Sequence, residues 1–314
     1  MGNLILRKKE MHKNKIVKNS IYALSSNMVT MLISVVMVIV LPKIVTVEDY
    51  GVWQLYVFYA SYIGFMHFGW EDGIYLRYAG LFYSELNQKL FAGQIYSLML
   101  LQVIIASVIF IVATLVVINP EKQFILTIIS LALIFTNFNN LCNFIFQITN
   151  RIAEYSFRVV FERIVFISLL VVSFLVGNLK YQSLLYAQLI ALILVTVVSA
   201  WSIRNLLKPT FSSLQDIKKE AIENLSAGSK LMLSNIASLL IVGIIRYGIS
   251  ENWSIATFGK VSFTLSISSF FMVAINAGSV VLFPILKRLD TANLIDAYIN
   301  LRELLSDVTL ALFL

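Results

Sequence analysis

Long apolar runs separated by short charged segments set the pattern of this chain. Eight runs stand at 20–41, 51–69, 93–118, 124–147, 159–177, 183–203, 231–250 and 259–283, and a ninth begins near 304. Each is close to the roughly 20 residues a helix needs to cross a bilayer. The runs are continuous and do not alternate, which favours helices over a membrane barrel. The expected fold is all-α and polytopic.

The charged positions between the runs give sidedness. With the N-terminus in the cytoplasm, the inner segments hold Arg7, Lys8, Lys9, Lys13, Lys15, Lys18, Arg77, Lys89, Arg151, Arg158 and Arg163. They also hold Arg204, Lys208, Lys218, Lys219, Lys230, Lys287, Arg288 and Arg302. The opposite loops carry Lys43, Lys122 and Lys180, with Lys260 at a span edge. An excess of Lys and Arg marks cytoplasmic loops. Trp53, Trp70, Trp201 and Trp253 each fall at a span end, where indole prefers to sit. The outer loops are short. The longest inner piece, 204–230, places Phe211, Leu214, Ile217, Ala221 and Leu225 at helical spacing. Ser213 and Asp216 resemble a capping pair there, and Gly228 is a candidate helix end. This piece reads as an amphipathic helix on the inner membrane surface or as a plain connector.

Three matches recur at one offset of 208: Ser26-Asn27 with Ser234-Asn235, Gly51 with Gly259, and Ser61 with Ser269. They make the seventh span the counterpart of the first. Six spans per unit is even, so the repeat is parallel, a transporter plan with a cavity between two bundles. The expected architecture is two six-helix bundles, the second truncated. Residues 1–203 form the first bundle, 204–230 the linker, and 231–314 the start of the second.

Composition agrees with a membrane solvent. Of 314 residues, 59% are hydrophobic and 13% charged, with mean hydropathy +0.85; soluble domains carry about 25% charged residues. The net charge of +7 follows from the inner loops and implies no nucleic-acid partner. The single cysteine, Cys142, excludes an intrachain disulfide. His12 and His67 lie far apart, and neither zinc spacing nor a glycine-rich phosphate loop occurs, so no metal and no cofactor are expected.

Polar residues inside the runs carry the candidate chemistry. Thr136, Asn139, Asn140, Asn143, Gln147 and Asn150 recur along the fourth span. Amides in lipid need partners. The stripe is either a cavity wall that hydrogen-bonds sugar hydroxyls or a set of interhelical bonds. Asn27, Thr30 and Ser34 form a thinner stripe on the first span, read as helix packing. Glu154, Arg158 and Glu162 share one helix face and are expected to pair where the fifth span enters the membrane, with Glu162-Arg163 slightly deeper, at a cavity mouth or in a structural pair. Glu71, Asp72 and Arg77 are expected to form a turn with a local ion pair. Arg246 lies in the outer half of the seventh span. It either snorkels to the interface or faces the cavity and binds an anionic group such as a phosphate.

The segments LPKIVTVEDYGVWQLY (41–56), GWEDGIYLRYAG (69–80), QITNRIAEYS (147–156) and GKVSFTLSISSF leading to VLFPILKR (259–288) resemble the polysaccharide transport, or O-antigen flippase, family. That family belongs to the multidrug/oligosaccharidyl-lipid/polysaccharide exporter superfamily. The resemblance implies a bacterial inner-membrane transporter, not an enzyme. It would move a polyprenyl-pyrophosphate-linked oligosaccharide from the inner to the outer leaflet by alternating access, with polysaccharide assembly proteins as further partners. Arg246 would meet the pyrophosphate, and Asn139, Asn143, Gln147 and Asn150 the sugars. The resemblance implies that many relatives carry an acid just before the arginine of the seventh span; here that position is Ile245, and the sequence shows no replacement carboxylate within a span. The rivals are a drug or cation antiporter of the same superfamily and a membrane polymerase or glycosyltransferase. The first span has no carboxylate for a cation, and the outer loops are short for an enzyme.

Overall fold

The computed structural model describes residues 28–268, together with Tyr22, Ser25, Ser26 and Arg302. The basic N-terminal cluster, Asn27, Ser269, the VLFPILKR segment and the ninth run lie outside the described residues. Two compact units divide after Ser262. The first unit is the one described below.

Every regular element among the described residues is helical. In chain order these are α1 (Met28–Ile44), α2 (Val47–Ile63), α3 (Trp70–Tyr78), a 3-10 turn (Tyr83–Glu85), α4 (Gln88–Leu115) and α5 (Pro120–Ile148). Then follow α6 (Ile152–Leu175), α7 (Tyr181–Ser202), α8 (Leu214–Asn252) and a helical stretch from 255 onward. Local chemistry sets several starts. Thr46, Asn87, Asn119 and Ser213 each accept a first-turn backbone N–H, and Pro120 follows Asn119 at a position that needs no donor.

Helices α4, α5, α7 and α8 are long and apolar enough to cross a membrane, and the protein is a membrane protein. Leu98, Leu133, Leu141, Ile145, Leu184 and Val195 form a fully buried core among α4, α5 and α7. Ile104, Val108 and Ile111 of α4, and Ile241, Ile244 and Ile245 of α8, point outward. Outward apolar faces of this kind suit lipid.

Three expectations change. The second run is not one helix: α2 ends at Ile63, residues 64–69 form a tight turn, and α3 begins at Trp70. Gly228 does not end a helix, because α8 runs unbroken for 39 residues through the expected boundary at 230/231. Trp53 and Trp70 are buried, Trp53 stacked on Phe166 and Trp70 bonded to Gln94, whereas Trp201 and Trp253 are exposed as an interfacial indole would be.

Some residues at the 208 offset meet in space. A Cβ added to Gly51 would strike the Ile255 carbonyl, and one added to Gly259 would press on Gly51 and the Val47 carbonyl. Val47 and Ile255 are themselves 208 apart. Contacts of i with j and of j with i are what a two-fold relation produces. The caps also match, Thr46 accepting from Asp49 N and Ser254 from Thr257 N.

Candidate functional site

The turn at 64–69 frees backbone groups within the bundle, and such groups must be satisfied there. Amides from two neighbouring helices do this. Asn137 of α5 donates to the Ile63 carbonyl at 3.1 Å, and Gln102 of α4 donates to the Met66 carbonyl at 3.0 Å. Asn137 also donates to Gln102 Oε1 at 2.6 Å, which ties the braces together. The turn closes through left-handed Phe68 and Gly69, at φ 55° and 88°. A side chain at Gly69 would run into the α8 backbone at Gly228 and Ser229, so glycine is required there twice over.

Beside this break lies a cavity of about 460 Å³, within the range of roughly 300–1,000 Å³ typical of small-molecule sites. One wall is a single face of α5: Thr136, Asn140, Asn143 and Gln147, at i, i+4, i+7 and i+11. Opposite stand Ser61, Gly64 and His67 from α2 and the turn, and Asp72 of α3. Tyr155 of α6 and Asn235 of α8 add to the lining, whose apolar members are Ala60, Phe65 and Phe144.

The structure therefore divides the amide stripe. Asn143 and Gln147 line the cavity, and Asn140 joins them. Asn139 turns to α7, where it donates to Thr196 Oγ1 and the Leu192 carbonyl and accepts from Ser199. It is the interhelical bond that the sequence left open. Asn150 lies outside the wall, at the exposed turn after α5 with φ 56°. Thr30 and Ser34 donate to their own helix, to the carbonyls of Ser26 and Thr30.

The expected ion pairs are rearranged. Glu154 pairs with Arg151 at 2.9 Å. Arg158, buried, donates from Nε to Asn143 Oδ1 at 2.7 Å and so holds one cavity amide in place. Glu162 accepts from Gln188 of α7, and Arg163 is half-buried on α6. Arg77 pairs with neither Glu71 nor Asp72. It reaches α8, bonding Glu220, Glu223 and Asn224 at 2.5–2.6 Å, while Tyr78 also donates to Glu220.

Arg246 is turned inward and does not snorkel. Its Nη2 donates to the Gln54 carbonyl of α2 at 3.1 Å, and its guanidinium lies 5.1 and 5.3 Å from the ring centroids of Phe58 and Phe258. It stands among aromatic rings against α2 and is not part of the cavity lining.

Sequence reasoning missed the site roles of four residues, Glu71, Asp72, His67 and Asn137. Glu71 is completely buried, and burial, then the Asp72 charge, pushes its carboxyl well above the usual range. Asp72 is pushed up by burial as well. His67 and Asn137 were also unmarked as a pair of site residues. The visible signal was Gly64 and Gly69 bracketing a histidine inside an apolar run.

A many-helix membrane bundle with a polar cavity at a broken helix has the plan of a transport protein. The chain belongs to the polysaccharide biosynthesis protein family, whose model matches residues 16–290. Members of that family are generally transporters, and the broad role it carries is transport of polysaccharide or lipid-linked oligosaccharide. No curated protein and no solved structure matches the chain.

Proposed function

We propose that this protein moves a polyprenyl-pyrophosphate-linked oligosaccharide from the inner to the outer leaflet of a bacterial cytoplasmic membrane. The N-terminus lies inside, and transport proceeds by alternating access of two repeat-related bundles. The carrying observation is the α5 wall: three side-chain amides and a hydroxyl on one helix face, opposite His67 and Asp72. Amides both donate and accept, which suits sugar hydroxyls. The lipid tail would stay in the bilayer while the sugars use the cavity. Arg246 serves the pyrophosphate only in a state that separates α2 from α8, because here Gln54 and two rings hold it. Polysaccharide assembly proteins are the natural partners of such a step.

The test is leaflet translocation of a fluorescent lipid-linked oligosaccharide in vesicles. Wild type flips it, and Asn140→Ala/Gln147→Ala flips it at least about tenfold more slowly with normal insertion; two lost bonds of about 1 kcal/mol each suffice. Equal rates would reject the amide wall as the sugar site.

One observation supports a second reading. Asp72 places a carboxyl in the cavity lining, and such an acid also suits an antiporter of organic cations. Uptake of a cationic dye by the same vesicles, with no flipping of the sugar lipid, would favour that reading.

A further inference from the structure

Glu71 presents an unusual balance. Neither carboxyl oxygen has a hydrogen-bond partner among the described residues, and the side chain is fully buried. An ionised carboxylate in that state would be costly, by several kcal/mol or more. A hydrated metal ion has no room at atoms with no accessible surface, whereas a proton needs none.

The surroundings give the proton a route. Asp72, the next residue, lines the amide-walled cavity. His67 also lines it, with Nε2 at 3.8 Å from Asp72 Oδ2 and 4.0 Å from Glu71 Oε2. His67 Nδ1 accepts the Gly69 N–H at 3.0 Å, which leaves the ring proton on Nε2, facing both acids. At 3.8 and 4.0 Å this N–H stands beyond hydrogen-bond reach of both carboxyls, but it turns its positive end toward them. The other titratable groups near Glu71 are engaged or inert. Buried Cys142 stands on α5, and Glu220 and Glu223 of α8 are held by Arg77.

We propose that Glu71 is a proton-binding site of the transport path, loaded from the cavity through Asp72. A proton from cavity water goes to the Asp72 carboxylate and then to the Glu71 carboxylate, which leaves Asp72 ionised again. The His67 N–H, facing both acids, favours the ionised form of either one. The site sits where α3 leaves the break at 64–69, so its charge bears on the least regular part of the bundle. The inference rests on the reading of the cavity as the transport path.

Infrared spectroscopy of the whole protein in detergent tests it without any transport step. Wild type should show a protonated-carboxyl band at neutral pH that shifts on carbon-13 labelling of glutamate and vanishes in Glu71→Gln. Asp72→Asn should slow exchange of that proton in heavy water several-fold. The labelled wild type needs no substitution, so misfolding of a variant cannot hide the answer. Absence of a glutamate-derived band, or its survival in Glu71→Gln, overturns the site. Unchanged exchange in Asp72→Asn overturns loading from the cavity. A failed translocation assay with these bands present would reject the cargo and leave the proton site standing.

Discussion

The two halves of α8 are held in opposite ways. Its N-terminal half lies backbone to backbone on α3. A Cβ at Gly73 would overlap the Asn224 carbonyl, and one at Gly228 would overlap Gly69 and Gly73. Around that contact Arg77 binds Glu220, Glu223 and Asn224, and Asn224 donates onward to Gln94, which also accepts from Trp70. The C-terminal half has side-chain anchors: Arg246 on α2, and Glu251 paired with Lys122 at 2.9 Å. Gly243 lies under the Tyr62 hydroxyl, but most of its neighbours face outward. One half is locked by shape and charge together. The other is tethered at a few points that can let go one at a time. Under the alternating access proposed above, α3 and the start of α8 would move as one piece, and the α2–α8 contact would be the place to open.

The largest expected effect breaks the locked half. Gly228→Val forces a branched side chain into backbone and should cost about 3 kcal/mol or more; thermal unfolding in detergent would show a large drop or no folded protein. Gly248→Val, where a Cβ meets nothing within 4 Å, should be far milder. If both variants melt alike, the contrast between the halves is wrong.

Charge removal should follow the same order with smaller numbers. Arg77→Ala strands Glu220 and Glu223 and should cost about 1–2 kcal/mol, allowing for their partial exposure. Arg246→Ala should cost less stability and more transport. A variant pair with the reverse order would place the rigid contact at the other end.

The pH dependence is subtler. The folded state raises the Glu71 carboxyl above 4.5, so the folded state holds the proton more tightly than the unfolded one. The stability linked to that proton is complete below the unfolded value and is lost as pH rises through the folded value. The slope is at most about 1.4 kcal/mol per pH unit. Glu71→Gln should flatten this slope, which melting temperatures across pH would record.

Much of the frame was legible. Continuous apolar runs gave the helices, four of them among the described residues long and apolar enough to cross a membrane, Ser213 and Asp216 gave the start of α8, and the offset of 208 found glycines that touch in space. What failed, failed for physical reasons. Apolar residues continue through 64–69, so hydropathy cannot see a break that Asn137 and Gln102 repair from other helices. Gly228 looks like a helix stop because glycine often ends helices, yet here it admits a neighbouring backbone. Gly69 and Gly73, four apart on the facing segment, were the clue. Asn139 lay within the amide stripe by spacing, but adjacent residues on a helix point about 100° apart, so Asn139 and Asn140 cannot serve the same wall.

The most direct measurement is binding of the lipid-linked oligosaccharide, set against the same polyprenyl pyrophosphate without sugar. Wild type should bind the sugar-bearing lipid more tightly. Asn140→Ala/Asn143→Ala/Gln147→Ala should lose that preference, about tenfold or more in Kd, while binding the bare lipid as before. If the triple variant keeps the full preference for sugar, the amide-walled cavity is not where the oligosaccharide is held.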